Sequence, residues 1–185
     1  MKLTELDVLL DVVSKLNELG IDHMLTGSMA MNYYVEPRMT RDLDMIIDIY
    51  TKDIYTLFEK FKDEYYISKE AFQEAYENKT SFNIIHTKAI VKIDFMIRDL
   101  TGYRGVEFNR RQKVKINDAE IDIVSKEDLI ISKLIWAKDS HSQMQKKDII
   151  NLLESDFDKQ YLSSWLKKLN LEDFFEEFID ARYLK

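Results

Sequence analysis

The sequence predicts an α+β fold, a mixed sheet flanked by helices, with a C-terminal helical bundle. Three observations predict it. Short apolar runs with period two, such as Leu43–Ile49 and Ala89–Ile97, are interleaved with stretches whose apolar residues recur at helical spacing. After about residue 125 the strand-like runs stop and only helical patterns follow. The composition, 45% hydrophobic with four Gly and one Pro among 185 residues, suits a helix-rich chain and argues against disorder. A chain of this length buries roughly 70% of its unfolded surface, enough for one real core. The expected division is an α/β core over residues 1–124 and a helical region over 125–185.

Thr4–Leu19 carries Leu6, Leu9, Leu10, Val13 and Leu16 at helical spacing, opens with Thr4 and Asp7 as a capping-box variant, and stops at Gly20. Ile21–Thr26 reads as a short strand, and Gly27-Ser28 as a turn opening a short helix to about Val35. Pro37 breaks the chain before a strand from Leu43 to Ile49. A helix starting at Thr51 places Ile54, Leu57, Phe58 and Phe61 on one stripe. Tyr65–Asn78 reads as part helix, with Ser68 as its cap and Phe72 and Tyr76 on one side. Ser81–His86 and Ala89–Ile97 form a hairpin across Thr87-Lys88. Arg98–Asn109 reads as irregular, with Gly102 and Gly105 as breakers. Val114–Ile116 and Ala119–Val124 form a second hairpin turning at Asn117-Asp118. Ser125 caps a helix to about Lys138; Asp139–Gln143 is a polar break, and helices cover Met144–Glu154, Asp158–Leu169 and Leu171–Tyr183.

Composition also excludes several functions. The absence of Cys rules out disulfides, thiolate zinc sites and Cys nucleophiles. No window approaches the roughly 18 apolar residues of a membrane span, and acidic residues interrupt the N-terminal apolar run. The expected location is cytoplasmic, with no membrane partner. A net charge of −7 disfavours non-specific binding along a nucleic acid. The local run Arg110-Arg111-x-Lys113-x-Lys115 suits either an RNA backbone or, more commonly, the solvated face of a hairpin.

Chemistry concentrates in three places. Asp42 and Asp44 stand two positions apart at the start of a strand, so both point to one face with Asp48, while Leu43, Met45, Ile47 and Ile49 take the other. Asp94 lies in an otherwise apolar strand, sharing its face with Lys92 and Met96. Isolated acids are common in turns and on solvated faces, but an acid inside an apolar strand is less ordinary. Hard divalent cations take oxygen ligands from a few carboxylates plus substrate phosphates. Gly27-Ser28 lets the backbone approach an anion closely and exposes helix N-terminal amides to it. His23, His86 and His141 have no ligand spacing.

The segments G-S-M-A-M (27–31), T-R-D-L-D (40–44) and K-I-D-F-M-I (92–97) together resemble the DNA polymerase β-type nucleotidyltransferase superfamily. Its signature is a Gly-Ser turn, a paired Asp-x-Asp preceded here by Thr40, and a third Asp on a neighbouring strand. The later segments E-D-L-I-I-S-K-L-I-W-A-K (127–138) and Q-K-K-D-I-I-N-L-L (145–153) resemble the AbiEii/MenT-like toxin branch. There a helix Lys is followed by a basic residue and a D-x-x-D pattern. Lys133 matches the helix Lys, Lys147 the basic residue and Asp148 the first Asp, while Asn151 departs from the second.

The resemblance implies the minimal nucleotidyltransferase fold and an enzyme of the nucleotidyltransferase class. It implies that Asp42, Asp44 and Asp94 bind Mg²⁺ or Mn²⁺, and that Asp94 helps deprotonate an acceptor hydroxyl. Gly27 and Ser28 would hold the β- and γ-phosphates of a nucleoside triphosphate, with Thr40, Lys133, Lys147 and Asp148 also on the nucleotide. The acceptor implied is tRNA or protein if the chain is the toxin of a toxin–antitoxin pair, with an antitoxin as partner. Two other expectations stand beside it: a catalytically silent nucleotide- or partner-binding module of the same fold, and an enzyme modifying a small molecule such as an antibiotic.

Overall fold

The computed structural model describes residues 3–183, with side chains to residue 177; positions 1, 2, 184 and 185 of the two expected domains lie outside the described residues. The chain folds as two compact units, Met1–Ala30 with Met39–Val124, and Met31–Arg38 with Ser125–Lys185.

The first unit opens with α1 (Glu5–Glu18), where Thr4 and Asp7 form the reciprocal capping box that their spacing predicts. It continues through β1 (Asp22–Thr26), the first half of α2 (Gly27–Tyr34), β2 (Asp42–Asp48), α3 (Asp53–Phe61), β3 (Tyr65–Ile67), α4 (Lys69–Asn78), β4 (Ser81–His86), β5 (Val91–Ile97), α5 (Gly102–Asn109), β6 (Gln112–Ile116) and β7 (Ala119–Ile123). The strands form one seven-stranded sheet in the order β3-β4-β5-β2-β1-β7-β6. It is mixed: β2 runs parallel to β5 and β1 parallel to β7, while the other pairs are antiparallel.

Period-two alternation decides the two faces of the sheet. Leu43, Met45 and Ile47 of β2 and Ile93 and Phe95 of β5 are fully buried on one face. Helical stripes meet them there: the Phe61 ring of α3 lies 6.1 Å from Phe95, Phe82 lies 5.3 Å from Phe95, and Phe72 of α4 stacks on Phe82 at 4.4 Å. The opposite face carries Asp42, Asp44 and Asp94.

Ser68 caps α4 as its position predicts, and the residues before it, Tyr65–Ile67, form an unforeseen strand paired to β4, with Tyr65 buried against Phe61 and His86. Two local expectations needed correction. The β4–β5 turn is longer than Thr87-Lys88; Ile90 takes a positive φ of 55° and β5 begins at Val91. Residues 102–109 are helical rather than irregular, and Gly105 marks a close approach instead of a break. A Cβ there would stand 2.7 Å from the Leu100 carbonyl oxygen.

The second unit contains residues 31–38 and four helices, α6 (Lys126–Ser140), α7 (Gln143–Leu152), α8 (Lys159–Lys168) and α9 (Glu172–Tyr183). Ser125, Ser142 and Asp158 cap the first three, each accepting from an amide three residues on. His141, in the left-handed conformation, ends α6. Buried Lys126 ties down the α7–α8 connection, donating to the Ser155 and Asp156 carbonyls at 2.8 and 2.9 Å. Among the described residues, no helix is long and apolar enough to cross a membrane.

Candidate active site

Strand pairing brings the carboxylates of β2 and β5 together. Asp44 stands directly opposite Asp94 in the parallel ladder, and Asp42 opposite Lys92. Neighbouring strands lie about 4.8 Å apart, so two same-face carboxylates in register are within reach of one cation. Thr26 of β1 extends the row beside Asp44, and Asn83 of β4 extends it beside Asp94. Asp42 is exposed, while Asp44 and Asp94 are half-buried.

The row is strongly negative, and Lys92 answers it. Its Nζ lies 2.7 Å from Asp94 Oδ2. The Lys92 pKa is raised, first by its hydrogen bond to Asp94; burial opposes the rise, and the charges of Asp94, Asp42 and Asp44 add to it. Among the described residues, no group of three or more His, Asp or Glu side chains converges as a ready-made metal cage. Sequence reading put Lys92 on the right face but gave it no role; its place two residues before Asp94 was the available signal.

Gly27 closes one side of the row. It has φ +65°, and a Cβ there would fall 2.0 Å from Asp44 Oδ2. Both the backbone conformation and the space require glycine. The first turn of α2 thus begins against the Asp44 carboxylate, with Ser28 next in the chain. N-terminal amides of a helix have no partners within it and favour an anion. Thr40 donates its hydroxyl to the Asp42 carbonyl at 3.3 Å, at the start of β2.

Lys133 and Asp148 lie in the second unit, buried and paired to each other. Lys133 Nζ donates to Asp148 Oδ2 at 2.8 Å and to Gln145 Oε1 at 3.1 Å. Arg38 grips the same carboxylate with two prongs, Nε to Oδ1 at 3.0 Å and Nη2 to Oδ2 at 2.9 Å. Asn32 fixes Arg38 in turn: its amide donates to the Arg38 carbonyl and its carbonyl accepts from the Arg38 amide. Burial opposes the charge on Asp148, but hydrogen bonds from Arg38 and Lys133, with their charges, outweigh it and hold its pKa below the ordinary Asp range. Lys147, adjacent in sequence, is exposed, and Asn151 is half-buried one turn further along α7. Arg38 escaped sequence reading as the partner of Asp148 because the contact spans 110 residues, and Asn32 with it, since its bonds serve Arg38.

Two members of the basic run near β6 face acids. Arg111 lies 3.3 Å from Asp22, and Lys113 lies 3.1 Å from Asp122.

No family model matches the sequence, and no curated protein sequence matches it. Solved structures do. An antigenic nucleotidyltransferase-like protein from Paracoccidioides brasiliensis aligns over 96% of this chain and 93% of its own, at 17% identity and a TM-score of 0.58. The lincosamide antibiotic adenylyltransferase LnuA, solved with lincomycin, aligns over 82% and 98%, at 15% identity and a TM-score of 0.52. ANT(2")-Ia, solved with adenylyl-2"-tobramycin, aligns over 98% and 99%, at 10% identity and a TM-score of 0.54. The mixed sheet and its helices therefore form a nucleotidyltransferase fold.

Proposed function

We propose that this chain is a divalent-metal-dependent nucleotidyltransferase, moving a nucleoside monophosphate from a nucleoside triphosphate to an acceptor hydroxyl. The observation that carries the reading is Asp44 opposite Asp94 in parallel register, with Asp42 two residues away and the Gly27 turn against Asp44. Carboxylate oxygens suit Mg²⁺ or Mn²⁺, and Asp44 and Asp94 stand in register on one face of the sheet, so the donor chemistry fits such an ion, although the three carboxylates do not already converge on one point. Asp42, Asp44 and Asp94 are its ligands in this reading. When bound, it would neutralise charge on the α-phosphate and acidify the acceptor hydroxyl.

The chain's own residues do the rest. Gly27 and Ser28 amides bind the terminal phosphates, and Thr40 holds the start of the strand that carries Asp42. Asp94 takes the acceptor's proton. The acceptor oxygen forms a bond to the α-phosphorus as the bond to pyrophosphate breaks in line, so positioning and charge neutralisation supply the rate. Buried pairing supports a positioning part for Lys133 and Asp148.

A small hydroxylated molecule is the favoured acceptor. The lincomycin- and tobramycin-modifying neighbours support it, as do the net charge of −7 and the pairing of Arg111 and Lys113 with acids. The second reading is a toxin that modifies tRNA or protein under an antitoxin's control. Its support is the Lys133, Lys147 and Asp148 pattern in the sequence.

The test incubates the protein with each labelled nucleoside triphosphate, Mg²⁺, and either lincomycin, tobramycin, total tRNA or lysate. Label should enter a small molecule, and Asp44→Ala should abolish transfer while keeping the melting temperature. Equal transfer by Asp44→Ala would sink the catalytic reading. A triphosphate-induced rise in melting temperature with no transfer to anything would select the silent module. Growth arrest that requires Asp44 would select the toxin.

A further inference from the structure

We propose that Lys92 is a tethered counter-ion of the carboxylate row, which a divalent cation must displace in order to bind. The inference rests on the metal-binding reading above. Lys92 stands directly opposite Asp42 on β2 and two residues before Asp94 on its own strand, so all three project from one face. On its other side the register partner is Ile85 of β4, so the carboxylates flank it only toward β2 and along β5. A lysine on an open sheet face usually extends into water. Here the side chain, 41% exposed, folds back along the strand and donates to Asp94 Oδ2 at 2.7 Å.

That contact has a physical reason. Like charges directly opposite across a ladder destabilise a sheet, and Asp44 and Asp94 are such a pair. An ammonium on Asp94 offsets the repulsion without any ion from solution. The same carboxylate oxygen is one that a metal would use, and an oxygen held by an ammonium offers less charge to a second cation. Metal and Lys92 therefore compete for Asp94. The lysine keeps the sheet intact while the row is empty and sets the cation concentration at which the row fills.

The experiment uses the full chain and Mn²⁺ alone, with free Mn²⁺ read by electron paramagnetic resonance and the melting temperature read with and without the ion. Lys92→Met and Lys92→Gln should bind Mn²⁺ roughly fivefold tighter than wild type, the scale of a partly exposed ion pair. Both should melt lower than wild type without metal and show a larger Mn²⁺-induced rise. Lys92→Arg should match wild type. Lys88→Met, which removes the same charge from the exposed turn before the strand, should also match it. Wild-type binding that Lys92→Met and Lys92→Gln leave unchanged or weaken would overturn the inference and spare the metal reading. Equal tightening by Lys88→Met would overturn it too, since long-range charge would then suffice. No saturable, Asp44-dependent Mn²⁺ binding in wild type would overturn the metal reading itself, and the inference with it.

Discussion

The two charged clusters of this chain are built from the same residue types in opposite ways. On the sheet face, Asp42, Asp44 and Asp94 share one row, Lys92 pairs with Asp94, and the row stands half-open to water. In the helical unit, one carboxylate, Asp148, is held by Arg38 and Lys133 and is almost wholly buried. A buried charge is tolerated only when its partners satisfy it, so the second cluster is closed and serves the fold. The first sets three carboxylates in one accessible row, which is what recruitment of a cation from solution requires. The difference separates a group that positions from a group that reacts better than residue type does, since both are Asp.

The largest expected effects test that separation directly. Asp148→Asn should cost about 3–5 kcal/mol, because it leaves buried Lys133 and half-buried Arg38 facing each other without the carboxylate. Asp44→Asn should leave stability unchanged or slightly improved, by relieving repulsion, while lowering transfer by at least about 10³-fold. Chemical denaturation and a transfer assay on the same two proteins give the answer. If Asp44→Asn unfolds the chain and Asp148→Asn silences it at full stability, the assignment of roles is reversed.

Much of this contrast was legible in the sequence, though unevenly. Alternation along Asp42–Asp48 and Val91–Ile97 is local information, and it put Asp42, Asp44 and Asp94 on solvent-side positions because the other face is needed for the core. Caps at Thr4, Ser68 and Ser125 were equally local. Strand order was not: only tertiary pairing puts β5 beside β2, and hence Asp94 opposite Asp44. The short strand at Tyr65 was hidden because three residues give no period to read. The helix at 102–109 was hidden because Gly105 looks like a breaker until the Leu100 carbonyl beside it is known. The partner of Asp148 was the least legible, since nothing in the neighbourhood of Arg38 announces a carboxylate 110 residues away.

A smaller effect sharpens the boundary of the open cluster. Gly27→Ala should cost about 1–2 kcal/mol from the left-handed backbone alone. It should also push Asp44 from its position, since the new methyl would stand where Oδ2 now lies. Activity should therefore fall far more than stability, by roughly 10²-fold as for a reacting group displaced by about 1 Å. A Gly27→Ala protein that loses stability but keeps wild-type transfer would mean that Asp44 has room to move and that Gly27 serves the turn alone.

The smallest effect concerns pH, and it probes the closed cluster. The Asp148 pKa is depressed in the folded state, because the bonds and charges of Arg38 and Lys133 outweigh burial. A carboxylate with a depressed folded pKa contributes its full stabilisation above its unfolded pKa, about 3.9, and loses it as pH falls through the lower folded value. The stability gap between wild type and Asp148→Asn should thus stay constant from pH 7 to about pH 5 and shrink only below about pH 4. Urea midpoints of both proteins at pH 7, 5, 4 and 3 measure it. A gap already closed at pH 5 would mean that Asp148 gives up its charge easily, which two cations bound to a buried carboxylate should prevent; the cluster would then be neutral at its centre, and its contrast with the open row on the sheet would fail at the point where it is drawn.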